Sequence, residues 1–404
     1  GTNMNYSGNI SPKVLQKNLK IKGELVENGK IYRITVLEKV KIRTNPEEID
    51  LFSHLDTLDQ SQRDVANLLS NIYFDNSGDD GINNLLDRID GFKNYGDQKT
   101  ALSQISPSLL TDIITMNLLS SQRNVISRPV PSLNTLAVEP IYSNSKLASG
   151  LVDNAVAIRL NYGHSFRNLM FGRDLSLAFF GDLASHSFKD SQNSKASALG
   201  GTLALRLETK VINSIILALS LSYEINDHIV DRSIEKLNKI ARSKFLINTF
   251  NMAIAIEKEF RVRGYLIFTP SASLETSLLG HNKFSEKGTE VLGLSVDGGS
   301  HHLVAGNFGL TMTVDLANFR PFISLGTSYL LSYSSPEISA SFREYASSGK
   351  LKSRATDVGK LSGSVAMGLS YELNKNVSVS LGGSYRGTSG YRSFSVGAVV
   401  GYSF

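Results

Sequence analysis

Apolar and polar residues alternate at every second position over most of the chain from about residue 150 to 404. In the last run, Phe394, Val396, Val400, Tyr402 and Phe404 share one parity, and the other parity holds mostly serine and glycine. Because successive side chains of a strand point to opposite faces, each run predicts a strand with one apolar face. Further strands are predicted near 174–187, 199–208, 214–225, 243–257, 262–278, 287–296, 301–316, 319–333, 338–350, 361–373 and 377–386.

Two architectures accommodate such strands: a soluble sandwich, whose apolar faces pack together, and a membrane barrel, whose apolar faces contact lipid. Several runs extend over about ten residues or more, long enough for a tilted strand to cross a bilayer. At roughly 19 residues per strand and connection, residues 174–404 provide about twelve strands. The pattern predicts an all-β transmembrane barrel of about 12 antiparallel strands. Fourteen is the alternative, because residues 156–162 also alternate.

Residues 45 to about 127 have the apolar spacing of helices. Apolar residues share one face of a first predicted helix at 65–72 and of a second at 82–89. A third has Ser106 as N-cap and Pro107 at its first position, the favoured order at a helix start, and extends to about residue 126. One side of this helix is apolar. The opposite side is polar and carries Thr111, Asp112, Thr115, Asn117, Ser121, Gln122, Arg123 and Asn124.

The N-terminal 44 residues are predicted to form a short β segment. Strands at 19–26 and 31–42 flank Asn28-Gly29, a strong signal for a hairpin. This segment is either a small half-buried sheet or the last rung of a longer β structure, in which case the chain is an excised piece of a larger protein. The predicted domains are therefore a β segment at 1–44, a helical linker at 45–150 with a helix near 107–126, and a barrel at 151–404.

Composition limits the chemistry that the chain can support. Cysteine is absent, which excludes disulfide scaffolds, thiol nucleophiles and cysteine metal sites. The net charge of +5 is mild and contains no dense basic run, so no nucleic-acid partner is expected. His301 and His302 point to opposite faces of a strand and are expected at the surface. We expect no enzymatic activity, no cofactor and no metal.

Three features together resemble the translocator domain of monomeric (type Va) autotransporters of Gram-negative bacteria. Residues 61–69 and 101–108 are similar to the region preceding the barrel in that family. Residues 341–343, 363–373, 377–379 and 383–386 are similar to its last four strands. The final aromatic Phe404, preceded by apolar residues at alternate positions, resembles the signal read by the barrel assembly machinery. The resemblance covers roughly residues 55–404.

The resemblance implies an outer-membrane translocator that carries its N-terminal passenger to the cell surface and anchors it there, with residues 1–44 as the edge of the passenger. It implies a monomer with a helix through the pore. The implied partners are the barrel assembly machinery, periplasmic chaperones, lipid, lipopolysaccharide and the passenger. The polar side of the helix would meet charges facing the lumen, namely Arg206, Glu208, Glu224, Glu275, Arg320, Glu372 and Arg386.

Two alternatives accompany this interpretation. A passive outer-membrane porin or solute channel would have the same strand pattern but a stable ion conductance. Some autotransporters cut their own linker with an asparagine of the pore helix and acids of the lumen. Neither Asn117 nor Asn124 belongs to an Asn-Asn pair, so we expect no self-cleavage.

Overall fold

A closed antiparallel barrel dominates the computed structural model, which describes residues 19–26, 31–39, 58–75, 79–92, 94–121, 134–170, 173–211 and 214–404. The N-terminal part contains the hairpin strands β1 (Leu19–Val26) and β2 (Ile31–Lys39) and the helices α1 (Gln60–Asp75), α2 (Asp80–Asp90), α3 (Tyr95–Ile105) and α4 (Ser108–Ser121). No helix of these described ranges has both the length and the apolar character needed to span a membrane.

Twelve strands form the barrel: β3 (Thr135–Leu147), β4 (Val152–Met170), β5 (Arg173–Lys189), β6 (Lys195–Lys210), β7 (Ile215–Ile234), β8 (Lys239–Lys258), β10 (Leu266–His281), β13 (Gly299–Val314), β14 (Phe319–Tyr333), β17 (Leu361–Glu372), β18 (Val377–Gly387) and β19 (Tyr391–Ser403). Each strand pairs antiparallel with its neighbours, and β3 pairs with both β4 and β19. That last pairing closes the sheet, and closure satisfies the backbone hydrogen bonds that an edge strand would leave free.

The outer face of the barrel is apolar. On β6, Leu199 and Leu203 point outward and are 69% and 73% exposed, whereas their neighbours Ala198 and Thr202 point inward and are buried. Large apolar side chains are exposed on every one of the twelve barrel strands. Apolar surface of this extent is typical of a barrel that uses lipid as its solvent.

The two ends of the barrel differ. At one end, the C-terminal end, the Phe404 N–H donates to the Asn134 carbonyl (3.0 Å), so the last residue lies beside the start of β3. The other end, the mouth, has short turns at 148–151, 190–194, 235–238 and 388–390 and two longer excursions at 282–298 and 334–360. The excursions contain β11 (Phe284–Ser285), β12 (Leu294–Val296), β15 (Glu337–Phe342) and β16 (Leu351–Arg354), which form a four-stranded sheet. The short strand β9 (Phe260–Val262) extends β10 at the C-terminal end.

Helices α1–α3 and this four-stranded sheet form a folded unit over the mouth, which we call the mouth cap. Helix α1 contacts β16 and the turn at 343–348, and α3 contacts β7 and the turn at 235–237. Apolar side chains of the helices, such as Leu69 and Ile82, belong to the same buried cluster as Leu294, Phe342 and the interior residue Phe245. The mouth cap and the upper barrel interior therefore share one hydrophobic core.

The predicted fold class and the strand count are confirmed, but two predicted barrel strands are wrong. Residues 287–296 and 338–350 lie in the mouth excursions, so the sequence motif at 341–343 is not part of a barrel strand. They alternate because β12 and β15, which belong to the mouth cap, bury one face in its core. Alternation reports that one face of a strand is apolar, not whether that face contacts protein or lipid.

The barrel also begins earlier than predicted. Residues 135–147, assigned to the helical linker from the sequence, form the first barrel strand, so the predicted boundary at 150 is corrected to residue 134. Pro140, which lacks a backbone donor, and the polar stretch 143–145 obscure the alternation there. The helices predicted at 65–72 and 82–89 correspond to α1 and α2, whereas α3 was not predicted as a separate helix.

Candidate functional site in the barrel interior

Helix α4 lies inside the barrel. It contacts β3, β8, β10 and β13, and β3 and β10 are on opposite sides of the closed sheet, so only an interior position allows all four contacts. Its apolar residues, including Ile113, Ile114 and Leu118, are fully buried. Fourteen residues rise about 21 Å, a large part of the hydrocarbon thickness of a bilayer.

The helix points from the mouth toward the C-terminal end. Near its start, Thr111 donates to the Ser353 carbonyl of β16 (3.5 Å) at the mouth. Further along, Asn117 accepts a hydrogen bond from Asn226 of β7 (2.8 Å). Asn226 lies eight residues deeper in the barrel than Ile234, the mouth end of β7. The chain resumes at Asn134, at the C-terminal end. The start of α4 at the mouth and Asn134 at the C-terminal end therefore lie at opposite ends of the barrel.

The Asn117–Asn226 contact depends on a glycine. Gly200 of β6 faces inward beside Asn226, and a Cβ atom at Gly200 would overlap the Oδ1 atom of Asn226. Asn226 also donates to Glu224 (2.6 Å), and Asn117 donates to the Ile113 carbonyl of its own helix (2.8 Å). Both ends of the Asn117 side chain are thus held by hydrogen bonds.

Both sides of α4 are buried in the barrel interior, the polar side as well as the apolar side. Thr115 and Ser121 use their hydroxyl groups to bond to backbone carbonyls of the same helix. This satisfies the polar atoms locally and lets the side chains pack against apolar neighbours. Asp112 is half-buried near the turn at 148–151. Gln122, Arg123 and Asn124 lie outside the described residues.

The predicted lumen charges lie on inward-facing positions but not at one depth. Arg206 donates to Glu208 (2.6 Å) and to Glu257 (3.2 Å), which neutralises its charge within the wall. Glu224 and Glu275 are buried in the interior. Three others differ in depth and partner: Arg386 donates to Ser362 (3.4 Å), while Arg320 and Glu372 pair with each other (3.1 Å) at the C-terminal rim and are half exposed.

An inward ion pair that the sequence analysis missed lies between these groups. Arg159 of β4 donates through Nε (3.1 Å) and Nη2 (2.7 Å) to Asp182 of β5, and both side chains are buried. Strand parity identifies both as inward residues, and this signal was available because 156–162 alternates. The polar zone of the lumen thus contains the buried ion pairs Arg159–Asp182 and Arg206–Glu208, whereas Glu224 accepts a hydrogen bond from Asn226.

Above this polar zone the lumen is apolar and filled. The rings of Phe188, His228, Phe245 and Phe284 form a stack with centroid separations of 5.6, 5.3 and 4.2 Å. His301, predicted at the surface, is instead buried and stacks on His281 at 5.7 Å, while His302 is exposed. The interior parity of β13 places one histidine of the pair in the core.

A buried ion pair joins the mouth cap to the barrel. Arg232 of β7 donates from Nε and Nη2 to the two carboxylate oxygens of Glu286 (2.9 and 2.5 Å), and its side chain is 2% exposed. Arg232 also donates to the carbonyls of Gln104 and Ile105 at the end of α3, and to that of Leu292. One guanidinium thereby holds a helix end and an excursion on a barrel strand.

No local sequence pattern predicted that Arg232 and Glu286 would form an ion pair. The predicted strand that corresponds to β7 ended at residue 225, and Glu286 lies one residue before the strand predicted at 287–296. Their pairing spans 54 residues and depends on how the excursion folds back.

A second polar link joins α2 to the cap sheet. Tyr345 donates to Asp79 Oδ2 (2.6 Å), and Asp79 Oδ1 caps α2 by accepting from Gly81 N (2.7 Å). The Tyr345 hydroxyl, and then the Gly81 amide, hold the pKa of Asp79 below its ordinary value of 3.8. Both bonds favour the carboxylate form.

Asp79→Asn is expected to loosen α2, because an amide is a weaker acceptor for the Tyr345 hydroxyl. A carboxyl whose folded-state pKa is lowered stabilises the fold above its unfolded-state pKa, and this contribution disappears as the pH falls through the folded-state pKa. Protease cleavage within α1–α2 should therefore be faster in the variant near pH 7. The two proteins should converge in strong acid. Asp80→Asn, which leaves the Tyr345 contact intact, is the control, and equal effects of both variants would contradict the assignment.

Comparison with known proteins agrees with this architecture. The profile of the Autotransporter beta-domain family matches residues 160–384, more than half of the chain. The chain belongs to the autotransporter β-domain family. The barrel is thus the translocator domain of an autotransporter and resides in the bacterial outer membrane, with the passenger side at the cell surface. A translocator domain is a transport barrel and has a passenger as its partner.

Several solved structures are similar to this chain. The translocator domain of the autotransporter NalP from Neisseria meningitidis is 14% identical, with a TM-score of 0.57, over 76% of this chain and 99% of that one. The transport unit of AIDA-I from Escherichia coli is 15% identical (TM-score 0.49, 72% and 98% covered). The β domain of BrkA from Bordetella is 12% identical (TM-score 0.49, 67% and 99% covered). No curated protein sequence is similar enough to count as a match.

Proposed function

We propose that this autotransporter barrel passes its own N-terminal segment through the lumen toward the mouth and that α4 and the mouth cap then remain as the plug. The observation that carries the proposal is the course of the chain, which enters at the mouth through α4 and resumes at Asn134 beside Phe404. Residues 1–44 would be the edge of the passenger, displayed outside.

The residues of the site have distinct proposed roles. Asn117 and Thr111 position the pore helix against β7 and the mouth sheet. The inward charges, including Arg206, Glu224 and Glu275, keep the lower lumen hydrophilic while an extended chain passes. The remaining predicted lumen residues, Glu208, Arg320, Glu372 and Arg386, would extend this lining toward the C-terminal rim. The barrel is proposed to act as a monomer, because closure leaves no strand edge for pairing.

The terminal strand is the proposed assembly signal. Phe394, Val396, Val400, Tyr402 and Phe404 all point outward and are exposed on β19. A strand with one apolar face offers a partner both backbone groups to pair with and a face to bind. Its proposed partners are the barrel assembly machinery and periplasmic chaperones.

The export proposal is tested by locating both ends of the chain in intact cells. An epitope tag placed before Gly1 is expected to bind antibody at the cell surface, whereas the same tag in the turn at 373–376, at the C-terminal end, should bind only after lysis. The porin alternative predicts stable ion conductance, whereas the filled interior predicts that the full chain conducts little in planar bilayers. A tag before Gly1 that is hidden in intact cells, or a stable open conductance, would refute the proposal.

A further inference from the structure

A row of four basic residues crosses the outer face of the barrel at the mouth. Directly paired positions on adjacent strands follow the order Arg392, Lys146, Val152, Lys189 and Lys195. Val152 on β4 is the one uncharged position in this order. All four cations share the outward parity of their strands. We call Arg392, Lys146, Lys189 and Lys195 the basic row.

The register places like charges directly opposite each other. Arg392 faces Lys146, and Lys189 faces Lys195. Directly opposed like charges destabilise a sheet unless an anion lies between them. No ion pair involves these four side chains within the part of the chain that the structure describes. Even Asp231, the cross-strand neighbour of Lys195, pairs instead with Arg242 (2.6 Å).

A polar row lies immediately below the basic row. Asn144, Asn154, Ser187 and Ser197 are also directly paired in sequence across β3, β4, β5 and β6 and point outward. Asn144 donates to Asn154 (2.8 Å), and the serines are exposed. Amide and hydroxyl groups under a line of cations supply the hydrogen-bond donors that a phosphate group binds.

The height of the basic row matches lipid headgroups. On β6, Lys195 lies four residues beyond Leu199, about 13 Å along the strand and about 10 Å along the membrane normal for a strand tilted by about 40°. This distance places the ammonium group outside the hydrocarbon and within the headgroup region. The turns at 148–151, 190–194 and 388–390 are short, so no excursion covers the row.

The basic row also lies on only one side of the barrel. On the neighbouring hairpin, the outward cations Arg242 and Lys244 are paired with Asp231 and Asp227 (2.6 and 2.8 Å). A general need for basic residues at the rim would not leave one set paired and the other free. The difference indicates that the free set has a ligand of its own.

We propose that the basic row binds the phosphate groups of lipopolysaccharide in the outer leaflet of the membrane, with the polar row as its hydrogen-bonding floor. This proposal rests on the mouth facing the cell surface. A single phosphorylated glycolipid placed there would lie between the opposed cations and remove their repulsion, and it would tie the β19–β3–β4–β5–β6 side of the barrel to the leaflet.

The test uses the purified full chain in neutral detergent and bisphosphorylated lipid A as the probe. Lys189→Gln/Lys195→Gln is expected to weaken binding about thirtyfold, because each basic residue beside an anionic lipid contributes a factor of about five. Lys283→Gln/Lys360→Gln, which removes two exposed cations at the mouth away from the row, should leave the Kd unchanged. Dephosphorylated lipid A should bind wild type as weakly as phosphorylated lipid A binds the first variant.

A thermal readout separates loss of the ligand site from loss of the fold. Without lipid, Lys189→Gln/Lys195→Gln should unfold at the same or a higher temperature than wild type, because a like-charge pair has been removed. Phosphorylated lipid A should then raise the unfolding temperature of wild type but not of the variant. Three results would overturn the lipid assignment: equal binding of lipid A by the two double variants, equal affinity of wild type for phosphorylated and dephosphorylated lipid A, or displacement of lipid A by inorganic phosphate alone. Binding in detergent does not require export, so either proposal can fail without the other.

Discussion

Arg232→Met is expected to open the mouth cap roughly 10²- to 10⁴-fold more often than in the wild type, because removing one partner of a buried ion pair costs about 3–5 kcal/mol. The methionine leaves Glu286 charged in a position with no exposed side-chain surface. It also leaves the carbonyls of Gln104, Ile105 and Leu292 without their donor. Since these groups belong to α3 and an excursion, the damage should be local to the cap and spare the barrel wall.

Hydrogen exchange of the α3 amides, measured on the full chain in lipid, reads out this opening. The matched control is Arg354→Met, which removes an exposed ion pair to Glu337 in the same cap sheet. An exposed pair contributes about 0–1 kcal/mol, so its effect should be small. Arg232→Met/Glu286→Met should recover much of the protection, because the uncompensated charge is gone. Equal exchange in the two single variants would show that Arg232 does not hold the cap.

Leu203→Arg should destabilise the barrel in lipid vesicles by about 2–4 kcal/mol, the cost of a cation on the lipid face near the bilayer midplane. Leu203 is the middle residue of the outward apolar series of β6, which extends from Leu199 to Leu207, and it is 73% exposed. At this exposure, none of the described residues covers the side chain. The measurement is the free energy of unfolding from reversible denaturant titration in vesicles.

Ser197→Arg is the control for depth. Ser197 points outward on the same strand, six residues nearer the mouth and within the polar row. Near the interface an outward arginine costs only about 0–1 kcal/mol. If both substitutions destabilised the protein equally, or if Leu203→Arg had no effect, the lipid-facing assignment of this face would fail.

The strands that alternate most regularly were predictable because lipid imposes a uniform environment on one face. β19, β17 and β7 carry apolar side chains at most alternate positions, and each is a barrel strand. The helical spacing at 65–72 and 82–89 likewise indicates α1 and α2, because their apolar faces pack into one core. These signals are local, and a periodic sequence is sufficient to reveal them.

The strands that were mispredicted show where periodicity fails. β3 contains Pro140 and a polar stretch, so its pattern is weak, yet β4 and β19 pair with it on both sides. Residues 287–296 and 338–350 alternate well but contribute to the mouth cap, where β12 and β15 bury one face in its core. The count of twelve was right because two wrong strands replaced β3 and β4.

The pore site was predictable only in outline. The position of α4 followed from Pro107 and the apolar stripe, and inward parity identified Arg206 and Glu224. The partners of these residues could not be inferred, because the Arg232–Glu286 and Asn117–Asn226 contacts join residues 54 and 109 positions apart. Register and the folding of the excursions bring them together.

The alternation of apolar and polar residues by itself establishes that the chain forms a long series of strands, each with one apolar face. The reason is that successive side chains of a strand point to opposite faces. Closure of the sheet and the path of the two mouth excursions decide which apolar faces contact lipid and which contact protein. Closure places β3 between β4 and β19 and encloses α4. The folded excursion brings Glu286 to Arg232, which holds the mouth cap on the barrel. These contacts arise between distant residues, and short-range patterns hold no information about them.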